Sequence, residues 1–292
     1  MEAKYSRMLL LTALAPVAWG STYFVTRQWL PAGMPLSGSA LRALPAGLLL
    51  LLLARRLPRG SWWWRTLVIS TLSIGGFFVL VYVAGSRLPS GVAATLMACS
   101  ALATMAFARL LLGEKASPLR WTGAVLGLAG VALLVNGAVG GLDPWGVAAS
   151  LLAMASSSLG FVLTKRWQPP VSPFVFTAWQ LTAAGLLLVP VALLVEGMPR
   201  PLEGSEVAAF AYAGLIATAV AYTAWFTGLR RLPAGAVGVV GLLNPLTGAL
   251  LGIAVAGERL APLQWAGALL VACGVVLGLL RRPSGGRRHA AL

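Results

Sequence analysis

Hydrophobic and polar positions follow a long-range pattern: apolar runs of roughly 20 residues, the length of a transmembrane helix, are separated by short segments that hold most of the charges. The runs are rich in Leu, Ala and Gly and lack the period-two alternation of membrane β-strands. An all-α membrane protein is therefore predicted. Its ten expected transmembrane helices are residues 8–26, 36–54, 65–85, 90–112, 119–136, 144–164, 173–195, 207–228, 234–256 and 262–280.

Composition supports a lipid environment. The 292 residues are 59% hydrophobic and 10% charged, with a mean hydropathy of +0.86, whereas soluble domains carry about 25% charged residues. No small-residue cleavage site follows the first run, and the chain continues through Arg27 and Trp29 to another apolar run. We therefore expect the first run to be a membrane helix and not a removed signal peptide.

The distribution of charge indicates orientation. If ten helices place both termini on one side, most of the 22 basic residues fall on that side, which predicts cytoplasmic termini. The basic residues expected on the other side are Arg27, Arg87, Arg200 and Arg259. The net charge of +15 forms no compact basic face, so nucleic acid is not an expected partner. Cys99 and Cys273 are expected to be packing residues, and no metal or other cofactor is expected.

Two halves of the chain resemble each other. The segment GEKASPLRW at 113–121 returns as GERLAPLQW at 257–265, 144 residues later, and TRQWLP at 26–31 returns as TKRWQP at 164–169, 138 residues later. We interpret residues 1–140 and 141–282 as two five-helix repeats and 283–292 as a basic cytoplasmic tail. Because five is odd, the second repeat enters the membrane from the opposite side. Inverted repeats are typical of secondary transporters, with the solute site at the midplane between the halves.

The first copy of the corner motif predicts a helix junction. Its proline is expected to begin a helix, its tryptophan to lie at the membrane interface, and Glu114 to cap a helix or pair locally. Glycines spaced by four, such as Gly123 with Gly127 and Gly274 with Gly278, are expected to allow close helix contact within a monomer or, with weaker support, a weak homodimer.

Polar and aromatic residues within the apolar runs are the candidates for solute contact, because such groups are costly in lipid. Arg42 either orients a carboxylate or reaches toward the outer interface. Gln180 occupies the matching place in the second half. Pro245 is expected to bend its helix, and Asn244 either contacts solute or caps the carbonyl that the proline frees.

Aromatic side chains complete the candidate site. Trp19 and Tyr23 share one helix face, and Phe78 is the repeat counterpart of Tyr222. An aromatic wall beside a polar point suits an amphipathic solute of amino-acid size; an interfacial aromatic belt and simple helix packing are the alternatives. The predicted substrate-binding residues are Trp19, Tyr23, Arg42, Phe78, Tyr82, Ser100, Ser157, Trp179, Gln180, Tyr222 and Asn244.

No Asp or Glu lies deep in any apolar run. Proton-driven pumps usually hold a carboxylate or histidine at depth. The sequence therefore predicts uniport or exchange.

The early segment APVAWGSTYFVTR, the ten runs and the paired GEKASPLRWTGAVLGLAGVALL and GERLAPLQWAGALLVACGVVLG resemble the drug/metabolite transporter superfamily, EamA type. Among its members the chain is most similar to bacterial inner-membrane amino-acid exporters of the YddG type. The resemblance implies export of aromatic and other neutral amino acids and related metabolites by alternating access.

Two other classes of protein are the alternatives. A multidrug exporter of small hydrophobic compounds is the first, and it is disfavoured for cations by Arg42 and by the absence of a deep acid. A membrane enzyme or receptor is the second. The sequence contains no HExxH motif, paired catalytic carboxylates, Cys–His pair or phosphate-binding loop that would favour it.

Overall fold

The computed structural model describes residues 2–29, 33–88, 96–134, 143–256 and 261–280, and within these ranges the chain is helical and has no strand. We number the continuous helical segments in chain order. They are α1 Glu2–Trp29, α2 Pro35–Ala54, α3 residues 62–87, α4 Ser100–Leu112, α5 Pro118–Leu134, α6 Pro144–Trp167, α7 Pro173–Val195, α8 residues 204–231, α9 residues 234–256 and α10 Pro262–Leu279.

Within the described ranges, six helical segments are long and apolar enough to cross a membrane, and three shorter apolar helices accompany them. The prediction of an all-helical membrane protein is confirmed, whereas ten spanning helices in two repeats stays a prediction. The six are Pro35–Ala54, Trp62–Ala84, Pro144–Trp167, Pro173–Val195, Gly204–Arg231 and Pro262–Leu279; the shorter ones are Leu96–Leu112, Pro118–Leu133 and Ala234–Gly248.

Proline fixes where several helices begin. Pro35, Pro118, Pro144, Pro173 and Pro262 each occupy the first helical residue of their helix, a position that lacks an intrahelical N–H partner in any case. The Asp143 side chain accepts a hydrogen bond from the Gly146 N–H, and the Ser172 side chain accepts one from the Val175 N–H, which caps α6 and α7.

Three helices are irregular near their middles. α3 contains a π-helical segment at Thr71–Gly75, and α8 contains one at Tyr212–Val220. α9 consists of Ala234–Val240 and Leu243–Ala256 with a turn between them. The break precedes Pro245 because its ring displaces the carbonyl four residues earlier, that of Gly241. The predicted bend is thus present, slightly before the proline.

Close glycine contacts join the helices. A Cβ at Gly123 of α5 would lie 2.5 Å from the Gly274 carbonyl oxygen of α10, and one at Gly130 would lie 2.7 Å from the Gly267 carbonyl oxygen. Gly47 of α2 likewise meets the α7 backbone near Leu181. The expectation of tight glycine packing within the chain is confirmed for α5 and α10, because only a hydrogen at these positions permits the observed approach.

Helix contacts repeat after a shift of five helices. α3 packs on α6 as α8 packs on α1, and α4 packs on α6 as α9 packs on α1. The largest buried apolar cluster joins α1, α2, α3, α7, α8 and the start of α9. It includes one residue from each π-helical segment, Ile74 and Ala219, and with the residues packed against it contains most of the aromatic residues predicted for the site.

Candidate functional site

Arg42, in the third turn of α2, contacts the π-helical segment of α8. Its Nη2 donates a 3.0 Å hydrogen bond to the Ala217 carbonyl oxygen, and its Nε donates to Thr218 Oγ1. The Thr218 hydroxyl in turn donates to the Ala213 carbonyl oxygen at 2.7 Å. A π-helical turn departs from the regular hydrogen-bond ladder and often marks a functional site. Here it presents a carbonyl and a hydroxyl to the one charged side chain of α2.

The Arg42 guanidinium also lies over an aromatic ring. Its central carbon is 5.6 Å from the centroid of the Phe78 ring on α3, within the range of a cation–π interaction. The arginine is partly exposed. Its side chain therefore lies between the helices α2, α3 and α8.

Aromatic rings from four helices form a contiguous cluster beside this position. The Trp19 ring centroid of α1 lies 5.1 Å from that of Tyr222 and 5.2 Å from that of Trp225, both on α8. Phe161 of α6 lies 5.4 Å from Trp225. These tilted arrangements are the favourable geometry for aromatic pairs. We call Trp19, Phe161, Phe176, Tyr222, Trp225 and Phe226 the aromatic cluster.

The second π-helical segment also reaches the aromatic cluster. The Tyr222 hydroxyl donates a 3.4 Å hydrogen bond to the Ser73 carbonyl oxygen in the π-helical part of α3. The Ser73 hydroxyl is buried and has no partner in the described part of the chain. Tyr222, two residues after the π-helical segment of α8, thus links α8 to the π-helical segment of α3.

Among the predicted residues, the structure brings Trp19, Arg42, Phe78 and Tyr222 into one region. Trp179 and Gln180 of α7 turn instead toward the α2–α3 corner. Trp179 Nε1 donates to the Arg56 carbonyl oxygen at 2.7 Å. Gln180 is fully buried, with Nε2 3.4 Å from the Thr66 carbonyl oxygen.

The remaining predicted residues are spread over other contacts. The carbonyl of Ser100 accepts a 3.3 Å hydrogen bond from Ser158, and the Ser157 hydroxyl bonds to the Met154 carbonyl of its own helix. The side-chain oxygen of Asn244 is buried and has no partner within the described ranges. Tyr82 is half-buried on α3. The side chain of Tyr23 lies outside the described residues.

Sequence reasoning missed Trp225, Phe161 and Thr218. Trp225 is 5% exposed, and its Nε1 is buried without a partner among the described residues. The spacing of Tyr222, Trp225 and Phe226 places all three on one helix face, which is the signal that was available. Thr218 carries no comparable signal, because its role depends on the π-helical segment.

The described acidic side chains that make hydrogen bonds lie at helix ends. Glu196 accepts 2.7 Å hydrogen bonds from the N–H groups of Leu36 and Ser37 at the start of α2. Glu114 caps α9 by accepting from the Ala234 N–H at 2.8 Å, and it also pairs with Lys165 at 2.6 Å. The expected cap is therefore present, although both partners are distant in sequence. The described residues contain no His, Cys, Asp and Glu cluster suited to a metal.

Helices of membrane-spanning length around a charged and aromatic centre define the class: a multi-pass membrane protein. The EamA-like transporter family model matches residues 6–136 and again 144–280, so the chain belongs to this family of membrane transporters, within the drug/metabolite transporter superfamily.

Three relatives extend the comparison. The chain is 37% identical over 265 residues to protein PecM of Dickeya dadantii (strain 3937), covering 90% of this chain and 89% of the relative. It is 31% identical over 267 residues to the inner membrane transporter YedA of Escherichia coli (strain K12), covering 89% and 87%. It is 24% identical over 283 residues to a probable amino-acid metabolite efflux pump of Salmonella typhimurium (strain LT2), covering 92% and 93%.

A protein crystal structure matches the fold with a TM-score of 0.82 at 22% identity, covering 94% of this chain and 96% of the other. At that identity the match supports the fold alone.

Proposed function

We propose that this transporter exports amino acids, aromatic and other neutral ones, and related metabolites across a bacterial inner membrane. The observation that carries the proposal is the position of the Arg42 guanidinium, held against Phe78 next to the Trp19–Tyr222 pair. A solute carboxylate pairs with a guanidinium through charge-assisted hydrogen bonds. An apolar or aromatic side chain on the same solute packs against the rings. The Salmonella typhimurium relative described as a probable amino-acid metabolite efflux pump agrees with this solute class.

Alternating access between two inverted five-helix halves is the proposed mechanism. The family model matches the chain twice, and helix contacts repeat after a shift of five helices. The contact of Gly123 with Gly274 has its counterpart in the contact of Gly130 with Gly267. Two like halves of opposite orientation can exchange conformations, which opens the midplane to each side in turn.

Uniport or exchange is the proposed coupling, because the described helix interiors near Arg42 offer no carboxylate for a proton. The chain is proposed to act as a monomer or weak homodimer, with both termini in the cytoplasm and no cofactor.

Transport of matched solutes tests the proposed substrate class. Proteoliposomes containing the full chain are loaded with labelled phenylalanine, leucine or phenylalanine amide, which keeps the aromatic ring but lacks the carboxylate. We expect wild-type protein to release both acids at least about tenfold faster than the amide, the value of one charge-assisted contact. Arg42→Gln should remove this preference, while Arg56→Gln, at an exposed position on the α2–α3 loop, should retain it.

The same assay distinguishes an amino-acid exporter from the alternative, a multidrug exporter. Equal release of acid and amide by wild-type protein would contradict an amino-acid site at Arg42 and favour a carrier of small hydrophobic compounds. An imposed pH gradient that drives phenylalanine uphill would contradict uniport or exchange.

A further inference from the structure

Basic side chains from four separate parts of the chain converge on one pocket at the helix ends. The pocket has a volume of about 370 Å³ and lies between α4, the α4–α5 loop, the end of α6 and the α8–α9 junction. Its charged lining residues are Glu114, Lys115, Arg120, Lys165, Arg230 and Arg231. Five cations against one carboxylate leave a strong positive excess in a concave space.

The single carboxylate is already committed within the pocket. Glu114 pairs with Lys165 and caps α9, and Lys165 also donates to the Leu232 carbonyl oxygen. Arg230 donates to the Val171 carbonyl oxygen at 3.0 Å. Within the described ranges, Lys115, Arg120, Arg230 and Arg231 have no carboxylate partner, so the excess is not neutralised internally.

The repeat-related corner provides an internal comparison. At an offset of 144 residues, Arg231 corresponds to Arg87, which pairs with Asp143 at 3.5 Å. Arg120 and Arg230 correspond to Gln264 and Ser86, which carry no charge. Lys115 corresponds to Arg259 and keeps a basic counterpart. The two corners therefore differ in the number of cations and in the acidic partner of Arg87.

The pocket shares lining residues with a second, partly apolar cavity. This cavity of about 360 Å³ shares Lys165 and Arg230 with the pocket and is lined by Phe176 and Phe226 of the aromatic cluster. A ligand with an anionic head and an apolar extension would be accommodated by the two spaces together.

We propose that this pocket binds a phosphate group. Arginine and lysine side chains from several directions match the charge and the many acceptor oxygens of a phosphate. The charged lining residues lie at helix ends or in the α4–α5 loop, which is the depth of lipid headgroups. The phosphate therefore comes from an anionic phospholipid headgroup or from free phosphate, and the experiment distinguishes these sources.

Thermal unfolding of the purified full chain in mixed micelles provides the test. Phosphatidylglycerol, phosphatidylcholine and inorganic phosphate are compared at matched ionic strength. We expect phosphatidylglycerol to raise the unfolding midpoint by about 3–5 °C relative to phosphatidylcholine, as a ligand does when it binds only the folded state. An equal rise with inorganic phosphate would assign free phosphate as a sufficient ligand, and no rise with it would assign the lipid.

Three double variants make the test specific. Lys115→Gln with Arg120→Gln removes two pocket cations that have no carboxylate partner among the described residues, and should weaken apparent binding about 30-fold. Arg56→Gln with Arg59→Gln removes the same charge from exposed positions outside the pocket and should bind as wild type. Lys115→Arg with Arg120→Lys should retain binding. Equal shifts in the two charge-removing variants, or no shift in wild type, would overturn the proposal.

Discussion

Arg42 and Gln180 stand 138 residues apart at equivalent places in the two halves, yet their surroundings differ. Arg42 is partly exposed, lies over Phe78 and bonds to the π-helical segment of α8. Gln180 is fully buried against α3, and its side-chain oxygen has no partner in the described part of the chain. The same framework therefore holds a polar side chain at an accessible centre in one half and inside a packed helix interface in the other. The role of each side chain is therefore determined by the helix that it faces and not by its position within the repeat.

Arg42 and Gln180 can be compared only if α2 and α7 pack on each other in equivalent ways. Glycine substitutions can break that packing. A Cβ at Gly47 would lie 2.7 Å from the Leu181 carbonyl carbon, and one at Gly185 would lie 2.6 Å from the Leu44 Cα. We expect Gly47→Val and Gly185→Val each to destabilise the protein by about 3 kcal/mol or more, because backbone atoms cannot move aside as a flexible side chain can.

Thermal unfolding in detergent measures this effect. Gly38→Ala is the control, because a Cβ there would lie 3.6 Å from the Phe210 ring, an ordinary contact. A large loss for only one of the two valine variants would show that the halves are not equivalent at α2 and α7.

Substitutions of Arg42 and Gln180 should have the next largest effect, and only the Arg42 substitution should slow transport. We expect Arg42→Gln to slow amino-acid release about tenfold or more, because one charge-assisted contact to the solute carboxylate is lost. Gln180→Leu should leave release within about twofold and leave stability equal or higher, since replacing a half-satisfied buried amide by an apolar group of similar size costs little. Flux and unfolding midpoint, measured on the same preparations, check both.

Equal loss of transport in Arg42→Gln and Gln180→Leu would contradict the division of roles. Loss of stability in both, with transport unchanged per folded molecule, would assign both residues to packing.

The smallest expected effect concerns Trp225, whose repeat counterpart is Val81. Trp225→Phe keeps an aromatic ring beside Trp19 and Phe161 but removes the unpartnered Nε1 donor. We expect the free energy of unfolding to change by less than about 1 kcal/mol, because no protein hydrogen bond is lost. Release of phenylalanine should fall about twofold to fivefold if the indole N–H bonds to solute.

Concentration-dependent flux distinguishes the two roles of the indole. A rise in half-saturation concentration at unchanged maximal rate indicates lost solute contact. Tyr222→Phe, which removes a hydroxyl bonded to Ser73, provides the matched comparison, and identical kinetics in Trp225→Phe and wild type would leave the indole a packing residue.

Much of the fold was predictable because lipid imposes long apolar runs and proline fixes helix starts. The predicted starts at 144, 173 and 262 coincide with Pro144, Pro173 and Pro262. The π-helical segments at Thr71–Gly75 and Tyr212–Val220 were not predictable, since no residue type specifies an i→i+5 turn. The contacts of Arg42 depend on the π-helical segment of α8. Only the position of Arg42 within an apolar run could therefore be inferred from the sequence.

The candidate site was predictable in part, because polar and aromatic residues within apolar runs can be recognised from the sequence. Trp19 and Tyr222 meet as expected for aromatic residues at the midpoint of neighbouring helices. Trp179 has an equally suitable sequence context, yet its indole bonds to the Arg56 carbonyl oxygen at the end of α2. Which face of α7 meets which neighbour is a property of packing, and a single sequence does not reveal it.

The proposed alternating access requires the two halves to be inverted, and labelling of the two corner motifs tests this inversion. Lys115→Cys and Arg259→Cys are introduced separately into a chain with Cys99→Ala and Cys273→Ala, and cells are treated with a membrane-impermeant maleimide. If the halves are inverted, Arg259→Cys is labelled in intact cells and Lys115→Cys only after permeabilisation. Labelling of both residues from the same face would contradict it.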